Sequence, residues 1–521
     1  MHHLAPLTAL LGLWAGISSS SSSSSSHTSP SPSPFDNNNN KAGSLSDCLA
    51  KAGVPVDASG SADYQLDISS FNLRLNYTPV AVAAVTTAQH VRDAVACARQ
   101  VGVKANAKCG GHSYASFGLG GEDGHLVIEM SRMNRVVLDN ATGIATAEGG
   151  TRLGHLAWEL WNQGGRAISH GTCPGVGAGG HVLHGGYGVS SHTHGLALDW
   201  LVGATVVLAN SSVVHCSETE NPDLFWALRG AGGSMGVVTE FRFKTFQPPP
   251  KLTYFVASVR WPTEARALAG LKAVQEFAGT MPAELNMRLF IASRFVNLEG
   301  LYYGGKAGLQ AALAPLIEKT NATLALAQEG GWLDQIKHFG GGGNIDQGHG
   351  HEEHENFYST SLYTNALNDA QLQRFVNYWF SQGKATNNNN NTTIKRDWYV
   401  QIDLHGGPHS AVSLQPANYT AYAHREYLLL YLFYDRVDKG VPYPADGHAF
   451  TQRFVGNITM DMDRAGWGMY VNYPDSGLDQ REAQVNYWGS GGGAHLARLQ
   501  AIKRAVDPED VFHYPQGILP A

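Results

Sequence analysis

Two glycine-rich segments constrain the fold of this chain more than any other feature. The first, KCGGHSY, spans residues 108–114, and the second, SHGTCPGVGAGGHVLHGGYGVSSHTHG, spans 169–195. Glycine has no Cβ, so such segments allow successive backbone N–H groups to close around an anion such as a pyrophosphate. Each segment also carries one nucleophilic side chain, the imidazole of His112 in the first and the thiol of Cys173 in the second. The pattern predicts two ligand-binding loops.

Length and charge narrow the classes of function. The chain has 521 residues, enough for about two to four domains. Its net charge of −7 is mild, and no basic stripe is visible, so we expect no nucleic-acid partner. Glycine is well above its usual share of about 7%, with 60 residues, and much of the excess lies in the two segments above and in GSGGG at 489–493.

The N-terminus predicts export. Residues 4–16 form an apolar stretch of signal-peptide length, so we expect a signal peptide over 1–17 and a Ser/Pro/Asn-rich linker over 18–46. The stretch is too short to span a bilayer, and we expect no membrane association. Glycosylation triplets fit a secreted, extracellular glycoprotein. They lie at Asn76, Asn140, Asn210, Asn321, Asn390, Asn391, Asn418 and Asn457.

Cysteine usage fits the same compartment. The chain has five cysteines, and Cys48 and Cys97 each lie on a helix-like segment. We predict a disulfide between these two, with two buried free thiols as the alternative.

Periodicity predicts the order of elements. Residues 47–130 indicate a β–α–β unit, in which a helix over 87–101 is followed by a strand over 103–107 that leads into the first glycine segment. The prolines at 248–250 mark a boundary. Beyond it we expect a second α+β region, with strands near 254–260 and 398–404.

The motifs CGGHSY and TCPGVGAGGH follow each other along the chain in this order. In both motifs and their order, the chain resembles the FAD-linked oxidases of the berberine-bridge-enzyme-like family, specifically the fungal gluco-, xylo- and chito-oligosaccharide oxidases. The resemblance covers about 47–521 and implies an α+β fold. It implies a PCMH-type, two-subdomain FAD-binding domain at 47–246 and a substrate-binding domain with an antiparallel sheet at 247–455. Residues 456–521 would return to the FAD domain.

The resemblance also implies an FAD bonded covalently to both His112 and Cys173, which leaves Cys109 and Cys216 as free, buried thiols. Without the resemblance, the alternatives for His112 and Cys173 are a metal pair or ordinary loop residues, and the alternative for the glycines is simple turns. The remaining candidate cofactor contacts are Cys109, Gly110, Gly111, Ser113, Gly175, Val176, Gly179, Gly180, His181 and Val238.

An alcohol gives up a hydride readily once its hydroxyl proton is removed, so the reaction calls for a base near the substrate. Tyr473 in MYVNYPD matches the family's catalytic tyrosine, and Asp403 in WYVQIDLHGG matches its aspartate partner. Gln401 and Tyr399 alternate with Asp403 and so share its strand face; with Tyr114 they are candidate substrate contacts. The alternatives are a core tyrosine at 473 and a turn-capping aspartate at 403.

The expected reaction is oxidation of the reducing-end C1 hydroxyl of an oligosaccharide to a lactone, with O2 reduced to hydrogen peroxide. The short Val176 and the following His181 match family members that use O2, and we expect a monomer without a metal. A relative acting on another alcohol or secondary metabolite, or a non-catalytic flavin carrier, is the alternative. The histidines at 348–355 and at 184, 192 and 194 are interpreted as a polar loop and as packing around the flavin.

Overall fold

The computed structural model describes residues 34–292, 295–347, 353–383, 396–489 and 491–521. The predicted signal peptide, the first part of the predicted linker, Asn390, Asn391 and residues 348–352 of the histidine-rich loop lie outside these ranges. No helix within them is both long and apolar enough to cross a membrane.

The N-terminal layer is a small parallel sheet packed on helices. Its strands run in the order β1-β3-β2. Helix α3 begins after Thr87, whose hydroxyl accepts a hydrogen bond from the His90 N–H, and ends at Gly102 with φ of 68°. The elements are α1 (Pro34–Lys51), α2 (Ala62–Asp67), β1 (Ala81–Ala84), α3 (Ala88–Val101), β2 (Ala105–Lys108) and β3 (Leu126–Glu129).

Helix α1 includes the end of the segment predicted as linker, and its Cys48 is bonded to Cys97 of α3. The predicted disulfide is therefore confirmed. It ties α1 to the helix that precedes β2, and β2 delivers the chain into the first glycine segment.

An antiparallel sheet of order β4-β5-β8-β6-β7 forms the second layer. Its strands are β4 (Val136–Asp139), β5 (Ile144–Glu148), β6 (Leu201–Val207), β7 (Val213–Cys216) and β8 (Val237–Lys244). The helices between them are α4 (Leu153–Gly164), α5 (Ala178–Leu183), α6 (Ser191–His194) and α7 (Pro222–Ala231). The second glycine segment thus contains two short helices.

The third layer is an eight-stranded antiparallel sheet of order β12-β9-β11-β10-β14-β15-β13-β16. Its first strands are β9 (Leu252–Val259), β10 (Leu285–Ala292), β11 (Val296–Tyr302) and β12 (Thr323–Gly330). The others are β13 (Asn356–Thr364), β14 (Arg396–Leu404), β15 (Leu429–Val437) and β16 (Trp467–Gly468). Its helices are α8 (Glu264–Ala278), α9 (Lys306–Thr320), α10 (Trp332–Phe339), α11 (Asp369–Tyr378) and α12 (Gly447–Thr459). The α+β class with an antiparallel sheet is confirmed.

One face of this large sheet is covered by helices. Trp398 on β14 and Phe433 on β15 both pack against Phe454 of α12, with ring centroids 5.9 and 5.7 Å apart. Residues that alternate with them therefore point to the opposite face, toward the glycine segments.

The C-terminal segment contains α13 (Gln480–Trp488) and α14 (Ala494–Val506) and contacts the N-terminal layers. The buried Lys503 Nζ donates to the carbonyl of Ser234 at 2.9 Å, and the Ala105 N–H donates to the carbonyl of Val511 at 2.9 Å. Val511 and Phe512 join the core around α3.

Candidate active site

The two glycine segments touch through their backbones. A Cβ at Gly110 would collide with the backbone of Gly177 and of Gly175, and a Cβ at Gly177 would collide with Gly110 and with the Cys109 side chain. Only residues without a Cβ permit this approach. The structure therefore brings together the two loops that the sequence singled out.

The other predicted cofactor residues lie around this contact. A Cβ at Gly179 would lie 3.3 Å from the Gly149 carbonyl, while one at Gly180 would meet no described atom within 4 Å. Gly111 has φ of 68°, and the Ser113 hydroxyl accepts a hydrogen bond from the Phe117 N–H at 3.2 Å. The carbonyl of the buried Val238 packs against Gly149.

Buried polar groups beside the loops suit a polar ligand. Among the described residues, neither the buried Thr151 hydroxyl nor Arg152 Nη1 has a hydrogen-bond partner. The Cys109 thiol donates to the Thr151 carbonyl at 3.3 Å, and burial raises the pKa of this thiol to about 11. Cys109 and Cys216 are free, as predicted, but only Cys216 is fully buried, and Cys109 is half-buried. These groups and the glycine backbone fit a phosphate-bearing cofactor such as FAD.

His112 is held by an aromatic neighbour that the sequence analysis missed. Its ring stacks on Phe71 with centroids 3.7 Å apart and planes 22° apart, and Phe71 in turn stacks on Tyr114 at 5.9 Å. The exposed Cys173 lies close to Tyr114 and Tyr399. Both nucleophiles thus lie near the aromatic side chains of the large sheet.

His181 and Val176 brace the second loop. His181 Nε2 accepts a hydrogen bond from the Gly171 N–H at 2.8 Å, and burial lowers the pKa of His181 to about 3. The imidazole is therefore neutral at physiological pH. The Val176 carbonyl accepts a hydrogen bond from the Leu153 N–H at 2.9 Å, which ties the loop to the start of α4.

Tyr399, Gln401 and Asp403 share the open face of β14, as their alternation predicts. Gln401 Nε2 donates to Asp403 Oδ2 at 2.8 Å. Burial raises the pKa of Asp403 to about 6, although Arg288 and Gln401 oppose the rise.

Arg288 is a second residue that the sequence analysis missed. It is paired in register with Asp403 across β10 and β14, and its Nε donates to Glu299 Oε1 at 2.6 Å. A single arginine within the apolar run of β10 was the available signal, but the sequence alone could not place it opposite Asp403.

Tyr473 lies on a short segment fixed from two sides. The Tyr470 hydroxyl accepts hydrogen bonds from the N–H groups of Gly186 at 2.9 Å and Tyr187 at 3.0 Å, in the second glycine segment. On the sheet side, the Ser361 hydroxyl donates to the Tyr473 carbonyl at 3.0 Å.

The Tyr473 ring is stacked on Tyr114 with centroids 5.9 Å apart. Burial, with the charge of Asp403 second, raises the pKa of Tyr473 well above its ordinary value. Tyr473, Asp403 and Tyr114 are therefore brought together, next to the loops that carry His112 and Cys173.

The clustered histidines serve separate local contacts. His184 Nδ1 is 2.8 Å from the Gly180 carbonyl, and His194 stacks on Phe246 with centroids 4.0 Å apart. Burial lowers the pKa of both His192 and His194 to about 4. Within the described ranges, no group of three or more His, Cys, Asp or Glu side chains is arranged to hold a metal ion.

Comparison with known proteins covers almost the whole described chain. A family profile described as an FAD binding domain matches residues 79–217, and one described as berberine and berberine like matches 469–519. The chain is 48% identical over 487 residues to a xylooligosaccharide oxidase of Thermothelomyces thermophilus, covering 92% of this chain and 95% of that protein. It is 44% identical over 482 residues to a chitooligosaccharide oxidase of Gibberella zeae, covering 92% and 95%.

Solved structures agree with these matches. The xylooligosaccharide oxidase from Myceliophthora thermophila C1, in complex with xylobiose, superposes with a TM-score of 0.87 at 48% identity, over 92% of this chain and 99% of that one. A glucooligosaccharide oxidase from Acremonium strictum superposes with a TM-score of 0.87 at 44% identity, over 92% and 99%. The latter carries a 6-S-cysteinyl, 8α-N1-histidyl FAD.

Proposed function

This chain belongs to the berberine-bridge-enzyme-like family of FAD-linked oxidases and is an FAD-dependent carbohydrate oxidase; we propose that it oxidises the reducing-end C1 hydroxyl of oligosaccharides to a lactone. The observation that carries the proposal is the position of Tyr473, which stacks on Tyr114 beside the flavin loops and is close enough to Asp403 for that carboxylate to raise its pKa. We assign FAD binding to the two smaller sheets, because the FAD-binding profile matches residues 79–217, and substrate binding to the eight-stranded sheet, which carries Asp403.

FAD is bound covalently through His112 and Cys173, in the histidyl and cysteinyl pattern of the glucooligosaccharide oxidase. When bound there, FAD would supply the acceptor for the hydride of C1 and the means of passing two electrons to O2, which would give hydrogen peroxide. We assign the pyrophosphate to the backbone N–H groups around Gly110, Gly175 and Gly179, because these residues line the contact between the loops. The short Val176 side chain supports the use of O2.

Tyr473 and Asp403 together remove the proton of the substrate hydroxyl. Because the pKa of Tyr473 lies well above its ordinary value, this residue is a phenol at neutral pH. It accepts the C1 hydroxyl proton as its own phenolic proton passes to the Asp403 carboxylate. Asp403, with a pKa raised to about 6, is ionised at neutral pH and is a better proton acceptor than an ordinary aspartate.

The side chains around this pair suit a sugar. Gln401 offers an amide to hydroxyl groups, and the rings of Tyr114 and Tyr399 offer apolar surfaces to the C–H groups of a pyranose. We assign these three residues to substrate binding.

We further propose that the enzyme is secreted and acts as a monomer. The apolar N-terminal stretch followed by small residues supports secretion. So does the exposure of Asn76, Asn140, Asn210, Asn321 and Asn418, each the first residue of a glycosylation triplet.

The test is steady-state O2 consumption by the flavin-loaded enzyme on cellobiose, xylobiose and chitobiose. We expect Tyr473→Phe to lower kcat by about 10²- to 10⁴-fold while the flavin stays covalently bound. Tyr302→Phe is the matched control, because Tyr302 lies at the end of β11 on the sheet face opposite to the one that carries Asp403. A wild-type protein with covalent flavin that oxidises none of these sugars would contradict the proposal and favour another alcohol as substrate or a non-catalytic role.

A further inference from the structure

A row of aromatic rings crosses the open face of the large sheet. Successive ring centroids lie 4.4, 4.9, 4.7 and 5.8 Å apart, and successive planes differ by 12–26°. The spacing follows the distance between neighbouring strands, about 4.8 Å. The row comprises Phe357 on β13, Tyr434 on β15, Tyr399 on β14, Phe290 on β10 and Phe295 just before β11.

The two ends of the row differ in exposure. Phe357 is fully buried and lies 5.0 Å from Tyr114, near the flavin loops, whereas Phe295 is 49% exposed. Each inner ring has both faces covered by its neighbours. The two end rings each have one neighbour in the row, but Phe357 is buried, whereas Phe295 is exposed on the side away from Phe290. A ligand that stacks on the row can therefore do so at Phe295.

The exposed end lies well away from the catalytic pair. Tyr399 and Asp403 are four residues apart on β14, about 13 Å at the usual strand rise. Phe290 is on the next strand, and Phe295 lies one strand spacing beyond it. That separation exceeds the length of a single pyranose ring.

Polar side chains occupy the face between these points. Asn297 is paired in register with Phe290, and Arg288 is paired with both Asp403 and Glu299. Asn297, Arg288 and Glu299 are each half-buried. The surface from Asp403 to Phe295 therefore alternates hydrogen-bonding groups with aromatic rings, as the hydroxyl and C–H groups of a sugar chain require.

We propose that Phe295, backed by Phe290, forms a distal sugar-binding subsite for units beyond the disaccharide at the reducing end. The proposal rests on the function proposed above and extends it to the length of the substrate. Phe295 is remote from C1, so its contact is the same before and during the reaction. Such a contact lowers KM for longer oligosaccharides and leaves kcat unchanged.

The experiment measures kcat and KM of the flavin-loaded enzyme along a series from disaccharide to hexasaccharide of one sugar that it oxidises. We expect Phe295→Ala to raise KM for the tetrasaccharide by about threefold to tenfold and to leave the disaccharide unaffected. Phe295→Trp, which keeps an aromatic ring at this position, should show the wild-type values of kcat and KM. Met460→Ala is the control, since Met460 is 70% exposed and follows α12, on the far side of the sheet.

Two results would overturn the subsite. Equal changes in KM at every chain length would show that Phe295 supports the fold, and no change at any length would show that it does not contact the sugar. A wild-type enzyme that oxidises no sugar would instead overturn the proposed function. Calorimetric titration of Tyr473→Phe with the same series, with and without Phe295→Ala, tests the subsite without turnover.

Discussion

Gly110 and Gly177 meet through their backbones, whereas Arg288 and Asp403 come together as register partners on neighbouring strands. The flavin loops therefore depend on the absence of side chains, and the sheet face depends on which side chains stand opposite each other. An added methyl group should damage the first region, and a changed charge should damage the second. Among the variants below, Gly110→Ala and Asp403→Asn test these two sensitivities, and the other two test the support of each region.

The largest effect is expected on the support of the flavin loops. Replacing Cys48 and Cys97 by serine frees a loop of sequence separation 49 and should lower the free energy of unfolding by about 4 kcal/mol. Cys216→Ala, which removes a free buried thiol, is the control. Denaturant unfolding measures the loss. Hydrogen exchange should rise in α1 and α3 and stay unchanged in β14 and β15; a rise in all four would mean that the two regions are not independent.

Gly110→Ala tests the backbone contact directly. The new Cβ would collide with Gly177, so we expect a loss of about 3 kcal/mol in unfolding free energy and a reduced ratio of bound flavin to protein. Thermal unfolding and flavin absorbance after acid precipitation measure these effects. Gly456→Ala places a Cβ in open space on α12 and should change neither; full flavin content in Gly110→Ala would show that the loops can separate without cost.

Asp403→Asn tests the charge of the sheet face. With the wild type, kcat/KM should rise with pH through about 6, as the carboxylate ionises. In the variant, kcat/KM should no longer show this limb, the rise with pH through about 6, and should be about 10- to 100-fold lower, with covalent flavin retained. Unaltered pH dependence in the variant would assign the limb to another group.

Asp403→Asn should also change how the free energy of unfolding depends on pH. The pKa of Asp403 is raised on folding, so its stabilising contribution is present below about pH 4 and lost as pH rises to about 6. Burial also raises the pKa of Asp435 to about 7, but Asp435 is present in both proteins. The difference in unfolding free energy between Asp403→Asn and the wild type should therefore grow in favour of the variant between pH 4 and 6.

The smallest effect is expected at Ser361, whose hydroxyl accepts a hydrogen bond from the Tyr470 N–H at 2.9 Å and donates to the Tyr473 carbonyl at 3.0 Å. Ser361→Ala should lower kcat about fivefold, because the loss of such a hydrogen bond costs about 1 kcal/mol in the positioning of Tyr473. Ser359→Ala, on the same strand with a longer bond of 3.4 Å to the Pro474 carbonyl, is the matched control. Equal losses in both variants would argue against a specific role for Ser361.

The sequence predicted the elements whose signals are local. The helix over 87–101 is observed as Ala88–Val101, because its apolar period, the Thr87 cap and Gly102 lie within one short window. The alternation over 398–404 correctly placed Tyr399, Gln401 and Asp403 on one face. The pairing of Cys48 with Cys97 followed from two helix-like segments and is confirmed.

Residues missed by the sequence analysis reach the site through long-range pairing. Phe71 stacks on His112 from 41 positions away, and Arg288 faces Asp403 across the β10–β14 register. Phe290 joins the aromatic row in the same way. None of these residues carries a local signal beyond being aromatic or charged within an apolar run.

By itself, the sequence determined the two glycine loops, their nucleophiles and the face that carries Asp403. Missing Cβ atoms and the period of a strand are properties of neighbouring residues along the chain. The tertiary structure decided that Gly110 touches Gly177, that Arg288 stands beside Asp403, and that Phe295 ends an aromatic row. Strand register and loop contact are set by the packing of distant segments, and a shift of one residue in β10 would have turned Arg288 and Phe290 to the opposite face.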